Sequence, residues 1–383
     1  MGQLIIRPSM PILAIGVAVC LGFCSERVSG APPVGCGDTI TRDTTLHVDL
    51  GPCPGDGLVI GATGIMLDLN GHTISSAGST EAFTAGVNNG GGYDGVTIKS
   101  GTVEGFVNPG GGPFSAGVVL TRADDNLVRD LRVKKNFRGI VAEDSDRVRF
   151  SSNKVNFNSP YGIFLDQANE FQVVHNSLNG GALVLGDSSH GLVKDNLVRA
   201  APIRSISLGD SNRNRIVENR VTRVDAYALT LAASDHNVIS RNELRAGLPS
   251  NHGLGIDFAF GSDANTLRHN AARHFDIGIA VGGPHTGGLQ RRNLVADNSI
   301  SRSGIGIAVG RRHAAHTRIK SNRANDNEKT GITIRKRTTV VTDNVARRNG
   351  GHGIAAVRGT HDGGGNIATH NRTPPQCVNI SCS

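Results

Sequence analysis

The chain of 383 residues has no tryptophan, only three tyrosines and only three methionines, and 4% of its residues are aromatic. So few rings leave few platforms on which sugar rings or bases could stack. Basic residues are not interleaved with aromatic ones, so we expect no nucleic-acid partner. The scarcity of methionine argues against a copper(I) site, because Cu(I) prefers thiolate and thioether ligands.

No part of the sequence carries a sustained 3.6-residue apolar pattern, which argues against repeats that contain helices. Instead, a unit of three short alternating apolar segments recurs between about residue 126 and residue 358. The first segment of each unit ends at an asparagine: Asn153, Asn176, Asn196, Asn219, Asn242, Asn270, Asn298, Asn322 and Asn344. These steps of 20 to 28 residues indicate a solenoid, whose units must stack to bury a core.

Three strands in each unit predict an all-β fold, a single-stranded parallel β-helix of about twelve to thirteen coils. The recurring asparagines would stack as a ladder from Asn70 to Asn371, and their amides would bond backbone groups in a buried turn. The alternative is that asparagine merely suits turns.

A Gly-Ile-x-Leu-like segment follows the ladder position in several units, at 162–165, 255–258, 278–281 and 331–334. With the turn asparagines, these segments resemble the right-handed parallel β-helix repeats of the pectin-lyase-like superfamily. The resemblance implies a right-handed coil and a substrate groove along the Gly-Ile-x-Leu strand. It leaves the activity open, because the superfamily includes polysaccharide lyases, epimerases, hydrolases and proteins without known activity.

The chain ends predict export. Residues 1–30 have the pattern of a signal peptide, and their apolar run, 11–23, is too short to span a bilayer, so we expect no transmembrane span. We expect an N-terminal cap at 31–60, the β-helix at 61–372 and a tail at 373–383. Cys36 with Cys53, and Cys377 with Cys382, would form disulfides at the two ends of a secreted, periplasmic or cell-surface protein.

Charge is unevenly distributed along the chain. Residues 265–383 contain 18 Lys and Arg against 6 Asp and Glu, whereas the whole chain has a net charge of +8. A basic half predicts an anionic partner, either an acidic polysaccharide or a cell-envelope polymer. The alternative is that these charges only solvate the outer faces of the coils.

Candidate catalytic residues cluster where the period lengthens to 28, with insertions at 247–253 and 282–288. A uronate lyase or epimerase needs a base, an acid and a cation that neutralises the substrate carboxylate. The catalytic candidates are Tyr227, His252, Asp257, His285, Arg311 and Arg335. The substrate-binding candidates are His274, Asp276, Arg312, His313 and Lys336. The alternative is that the loop histidines are simply exposed.

Carboxylates recur at the end of the Gly-Ile-x-Leu strand on successive units: Glu143, Asp144, Asp166, Asp187 and Asp210. Oxygen ligands stacked at the spacing of parallel strands suit Ca²⁺, so Glu143, Asp166, Asp187 and Asp210 form a candidate calcium site. Turns also favour Asp for local reasons.

We therefore expect an exported carbohydrate-active protein that acts on a uronate-type polysaccharide by lyase or epimerase chemistry. A non-catalytic surface or binding protein is the alternative, favoured by the small and apolar residues predicted on the groove strand. Periplasmic copper handling ranks third.

Overall fold

The computed structural model describes residues 34–78, 83–107, 115–247, 253–283 and 287–383. Residues Gly35–Ser383 form one compact unit. The segment predicted as a signal peptide, 1–30, lies outside the described residues. Throughout the described ranges the regular secondary structure is β-strand, and no helix in them could span a membrane.

Successive strands visit three parallel sheets in turn, so each coil contributes one strand to each sheet. Sheet 1 contains Asp38–Ile40, Leu58–Ile60, Ala85–Asn89, Ala116–Thr121, Arg138–Glu143, Tyr161–Asp166, Ala182–Gly186, Arg204–Gly209, Tyr227–Ala232, Leu254–Ala259, Ile277–Val281, Ile305–Val309, Ile332–Ile334, Ile354–Ala356 and Cys377–Val378. Sheet 2 contains Thr44–Thr45, Met66–Asp68, Thr97–Lys99, Leu127–Arg129, Arg149–Ser151, Gln172–Val174, Leu192–Lys194, Arg215–Val217, Val238–Ser240, Thr266–Arg268, Leu294–Ala296, Arg318–Lys320, Val340–Thr342 and His361–Asp362. Sheet 3 contains Leu50–Cys53, Thr73–Ser76, Thr102–Glu104, Arg132–Lys134, Lys154–Asn156, Ser177–Asn179, Leu197–Arg199, Arg220–Val224, Glu243–Ala246, Ala271–Arg273, Ser299–Ser301, Arg323–Asn325, Val345–Arg347 and Ile367–Thr369. A separate two-stranded sheet pairs Gln290–Arg291 with Ala314–Ala315.

The predicted parallel β-helix is confirmed, with about fourteen coils rather than twelve to thirteen. Its first strand, Asp38–Ile40, pairs with Leu58–Ile60 inside the segment predicted as a cap. Its last strand, Cys377–Val378, pairs with Ile354–Ala356 inside the predicted tail. Coils were missed because insertions lengthen the early repeats and because the terminal strands are short.

The core is a stack of equivalent apolar side chains. Side chains alternate between the inner and outer faces along each strand of sheet 1. On Tyr161–Asp166, for example, Ile163 and Leu165 point inward and are fully buried, whereas Phe164 between them points outward and is only partly covered. Ile163 aligns with Leu183 on the next coil, which in turn aligns with Ile206. Complete burial of such a side chain stabilises the fold by about 1.5–3 kcal/mol, and the same contact repeats from coil to coil.

The predicted asparagine ladder is confirmed in the turn between sheets 2 and 3. Each side-chain oxygen accepts hydrogen bonds from the asparagine of the preceding coil, as Asn219 Oδ1 does from the backbone N and Nδ2 of Asn196, both at 3.0 Å. The hydrogen-bonded series begins at Asn153 and ends at Asn366. The prediction that it ends at Asn371 was wrong, because Asn371 belongs to a different ladder.

Three further ladders occupy the other two turns. Asn214, Asn237, Asn265 and Asn293 are linked between sheets 1 and 2, beside a second series formed by Ser188, Ser211, Ser234 and Ser262. Asn327, Asn349 and Asn371 are linked between sheets 3 and 1, and this series ends on Gln376. All three turns of the coil are therefore held by side-chain amides or hydroxyls that satisfy buried backbone donors.

Both predicted disulfides are present. Cys36 bonds Cys53 across 17 residues, and Cys377 bonds Cys382 across 5 residues. They lie at the two ends of the β-helix, where the outermost strands lack a neighbour on one side. Because disulfides persist in oxidising compartments, they favour an exported protein.

Candidate functional site

The outer face of sheet 1 carries a row of outward residues in register. The row contains Val141, Phe164, Val184, Ser207, Thr230, Asp257, Ala280, Ala308, Thr333 and Ala355. This is the register predicted from the Gly-Ile-x-Leu segments. Small side chains at Ala280 and Ala308 leave space above the sheet in its C-terminal half.

A groove of about 480 Å³ lies over this part of the sheet. Its floor is formed by Ala280, Ala308 and Thr333, and Ile277 and Ile305 lie along one side. Its polar lining is basic and comprises Arg311, Arg312, His313 and Arg335, and no acidic side chain is among the described residues that line it. We call this feature the basic groove.

Local backbone geometry places the Arg311–His313 segment beside the groove. A side chain at Gly310 would overlap the carbonyl oxygen of Gly282, so only glycine lets the neighbouring coils approach this closely. The chain then turns, and Ala314–Ala315 pairs with Gln290–Arg291. His313 Nδ1 lies 2.9 Å from the carbonyl oxygen of Gly288, which fixes the imidazole against the preceding coil.

Four predicted site residues therefore come together in the basic groove: Arg311, Arg312, His313 and Arg335. Asp257 aligns with Ala280 at the edge of the groove floor and is only 5% exposed. Tyr227 lies on the outer face of sheet 1, two strands before Ile277, and the Arg204 guanidinium carbon lies 5.8 Å from its ring centroid.

The other predicted residues are not in the groove lining. His274 lies in the turn before Ile277–Val281, where burial and then the charge of Arg245 lower the pKa of its imidazole. Asp276 and Lys336 flank strands of the groove without lining it. His252 and His285 lie outside the described residues, so their roles stay predictions.

The predicted acidic residues form two staggered rows rather than one. Glu143 aligns with Asp166, whereas Asp187 and Asp210 lie one residue beyond the aligned Gly186 and Gly209. Among the described residues, no group of three or more His, Cys, Asp or Glu side chains is arranged to hold a metal ion. The calcium site at Glu143, Asp166, Asp187 and Asp210 stays a prediction.

The acidic rows do alter the titration of Asp166. Partial burial, followed by the negative charges of Asp187 and Asp144, raises the pKa of Asp166 above its ordinary value, and Arg138 opposes this shift. A carboxyl whose pKa is raised in the folded state binds protons more tightly there than in the unfolded chain. Its contribution to stability is therefore lost as pH rises through the interval between the two pKa values.

We expect Asp166→Asn to raise the denaturant midpoint at neutral pH, because it removes this repulsion. Below the ordinary pKa of aspartate, where the native carboxyl is already neutral, the gain should vanish. Urea unfolding at several pH values measures this difference, and added salt should reduce it. A gain that does not vary with pH would contradict the electrostatic cause.

An aromatic cluster upstream of the groove was not predicted as a site. The rings of Tyr161 and Phe164 stack with centroids 5.2 Å apart, and the Arg138 guanidinium carbon lies 5.1 Å from the Phe164 centroid. The sequence contains one signal for this cluster. A large aromatic or basic residue recurs three positions before a residue of the outward row, at Arg138, Tyr161, Arg204 and Tyr227.

Two family models match parts of the chain. A model described as periplasmic copper-binding protein (NosD) matches residues 94–271, and a model described as right handed beta helix region matches residues 204–373. A search of curated protein sequences found no match.

Solved structures with a similar fold have diverse functions. A mutant of the periplasmic alginate epimerase AlgG is 13% identical, with a TM-score of 0.54, over 75% of this chain and 73% of that chain. PfbA, a surface adhesin of Streptococcus pneumoniae, is 9% identical, with a TM-score of 0.50, over 84% and 83%. The Dettilon tailspike protein is 13% identical, with a TM-score of 0.47, over 89% of this chain, which spans 60% of the tailspike's length. The chain is therefore a parallel β-helix protein whose fold is similar to that of the alginate epimerase, and a right-handed β-helix family model matches its residues 204–373.

Proposed function

We propose that this is an exported protein whose basic groove binds an acidic, uronate-type polysaccharide. The observation that carries the proposal is the groove lining, which combines three arginines and a histidine with no acidic side chain among its described residues. Arginine pairs with carboxylates through two parallel hydrogen bonds, which gives geometric specificity as well as charge neutralisation. The fold, which is shared with an alginate epimerase, supports this assignment.

The proposed reaction is β-elimination or epimerisation at the carbon beside the uronate carboxylate. Arg311 and Arg335 would neutralise that carboxylate, so that negative charge can build up on the adjacent carbon when a base removes its proton. In elimination, the electron pair expels the glycosidic oxygen, which an acid protonates; in epimerisation, a proton returns to the opposite face. Tyr227, His252 and His285 stay the predicted proton-transfer groups.

Asp257 is a described carboxyl at the edge of the groove floor. It aligns with Ala280 of the groove floor and is almost completely buried. We propose that it orients groups at the edge of the groove, because a carboxyl so far removed from solvent has little access to the polymer itself.

The proposal is tested with a panel of purified polyuronates. We expect the protein to bind at least one of them, and either to generate the ultraviolet absorbance of an unsaturated uronate or to exchange the proton beside the carboxylate with deuterated water. Arg335→Ala should abolish both signals. Binding without either signal would identify a non-catalytic binding protein, and no binding to any polyuronate would refute the proposal.

Copper handling is the second candidate, because the copper-binding family model covers residues 94–271. Against it, the four cysteines of the described residues are all paired in disulfides, and no metal-ligand group of three side chains is found among those residues. A copper titration followed by dialysis distinguishes the two candidates, because only a copper site would retain metal.

A further inference from the structure

A second pocket, of about 200 Å³, lies on the outer face of sheet 1 toward the N-terminus. Its floor is formed by Ala182 and Val184, with Tyr161 on the preceding strand and Arg204 on the following one. Ile203 completes its apolar rim and is 63% exposed. We call this feature the aromatic pocket.

The aromatic wall of this pocket is held rigidly. Tyr161 is stacked on Phe164 with the ring planes inclined by 19°, and Arg138 lies against the same rings. Arg138 Nη1 is also 3.0 Å from Glu143 Oε1, an ion pair that fixes the guanidinium. A ring fixed before binding loses little conformational entropy when a ligand stacks on it, which favours the flat apolar face of a sugar ring.

The aromatic pocket carries less positive charge than the basic groove, because Arg204 is the one charged side chain among its described lining residues. The Asp166 carboxylate occupies the space that a side chain at Gly186 would fill, two residues from Val184 on the pocket floor. The charge of Arg138 is compensated by Glu143, and the Arg204 guanidinium lies over the ring of Tyr227 on the following strand. A carboxylate-bearing sugar would therefore find less compensating positive charge here than in the basic groove, whereas an uncharged sugar ring needs none.

The two features lie along one line of the sheet. Val184 of the aromatic pocket and Ala280 of the basic groove occupy the same outward row, four strands apart. At the spacing of parallel strands this is about 19 Å. A glycan lying along the row would contact both.

We propose that the aromatic pocket binds an uncharged sugar ring of the same glycan chain whose acidic residue occupies the basic groove. The ligand is then a heteropolysaccharide that contains both acidic and uncharged sugars, rather than a homopolymer of uronates. This inference rests on the proposed function, because it takes the acidic sugar to lie in the basic groove.

The test measures binding by calorimetry with three oligosaccharides of equal length: a homouronate, an uncharged one, and one in which uronate and uncharged sugars alternate. We expect the alternating oligosaccharide to bind most tightly. Tyr161→Ala should weaken that binding about tenfold, which is the loss expected for one well-packed aromatic contact. Tyr161→Phe keeps the stacking ring and should change the affinity less than about twofold.

Two controls separate the pocket from general effects. Val184→Phe fills the pocket without removing the tyrosine and should reproduce the loss caused by Tyr161→Ala. Phe157→Ala removes a 62% exposed ring outside the pocket lining and should leave all three affinities unchanged. Thermal unfolding of each variant identifies any general loss of structure.

Each outcome decides between the two proposals. Equal affinity for the homouronate and the alternating oligosaccharide, with no effect of Tyr161→Ala, overturns the heteropolysaccharide inference and leaves the proposed function standing. Tyr161-dependent binding of the uncharged oligosaccharide alone keeps the pocket and overturns the assignment of the basic groove. No binding of any of the three overturns both.

Discussion

Replacing Arg311 and Arg335 together by glutamate should weaken the binding of an oligouronate at least about a hundredfold. Each hydrogen bond to a charged group contributes about 1.5–3 kcal/mol, so two lost contacts amount to about 3–6 kcal/mol, where 2.8 kcal/mol is already a factor of about one hundred. Repulsion between the new carboxylates and the ligand adds to this loss. Calorimetric titration at physiological salt measures it.

The fold should tolerate this change, because both arginines are exposed and exposed substitutions usually shift stability by less than about 0.5 kcal/mol. The matched control is Arg318→Glu with Arg323→Glu. These two exposed residues lie on sheets 2 and 3, within the strands Arg318–Lys320 and Arg323–Asn325, and replacing them changes the net charge by the same amount.

The control separates local contact from general attraction. If the basic groove binds the ligand, the control variant should keep its affinity within a fewfold, and only its dependence on salt should change. An equal loss in both variants would mean that overall positive charge, rather than the groove, attracts the polymer.

The fold was predictable because every coil repeats the same physical requirement. An inward apolar residue recurs on each strand, and from Asn153 to Asn366 an asparagine recurs in the turn between sheets 2 and 3. The pattern of one repeat therefore predicts that of its neighbours. The end of the ladder was misassigned because asparagines five residues apart occur in several coils, as at Asn344 and Asn349, or Asn366 and Asn371. Spacing alone does not tell which member of each pair stacks with which ladder.

The basic groove was partly predictable, because the outward register follows from the Gly-Ile-x-Leu segments and places Arg311 and Arg335 just beyond the ends of adjacent strands. The shape of the groove was not predictable. It depends on the close approach of Gly310 to Gly282 and on the additional pairing of Gln290–Arg291 with Ala314–Ala315, which brings Arg312 and His313 to the groove.

The aromatic pocket could not be predicted from the sequence for a different reason. Residues three apart on a regular strand point to opposite faces, so Tyr161 and Phe164 are not expected to meet. In the structure, the register with the next strand shifts between Tyr161 and Ile163. Arg138 and Tyr227 hold the equivalent place on strands whose pairing shows no such shift, so this departure from simple alternation recurs along the sheet.

Asn219→Ala should lower the free energy of unfolding by about 2–6 kcal/mol, because each buried backbone group left without a partner costs about 1–3 kcal/mol. Asn219 is 1% exposed; its side-chain oxygen accepts from the backbone N of Asn196, and its Nδ2 donates to the carbonyl oxygen of Val193 at 2.9 Å. Alanine leaves both of these groups without a partner and creates a cavity. Urea denaturation measures the change.

The control is Asn179→Ala, which removes the same amide from a half-buried position at the end of the strand Ser177–Asn179. It should shift stability by less than about 0.5 kcal/mol, the usual range for a surface substitution. A comparable loss in both variants would show that asparagine contributes through local turn preference rather than through the ladder.

The asparagine ladder also predicts which coils lose stability in the Asn219→Ala variant. Because each coil contacts only its neighbours, stability in a solenoid is close to a sum of coil and interface contributions. Asn219 links Asn196 on one side to Asn242 on the other, so Asn219→Ala breaks the series at two interfaces. Hydrogen exchange should therefore accelerate first at the backbone amide of Asn196 and in the adjoining strands Leu192–Lys194 and Arg215–Val217, while the coils around the basic groove keep their protection. Uniform acceleration along the chain would mean instead that the coils unfold as one cooperative unit.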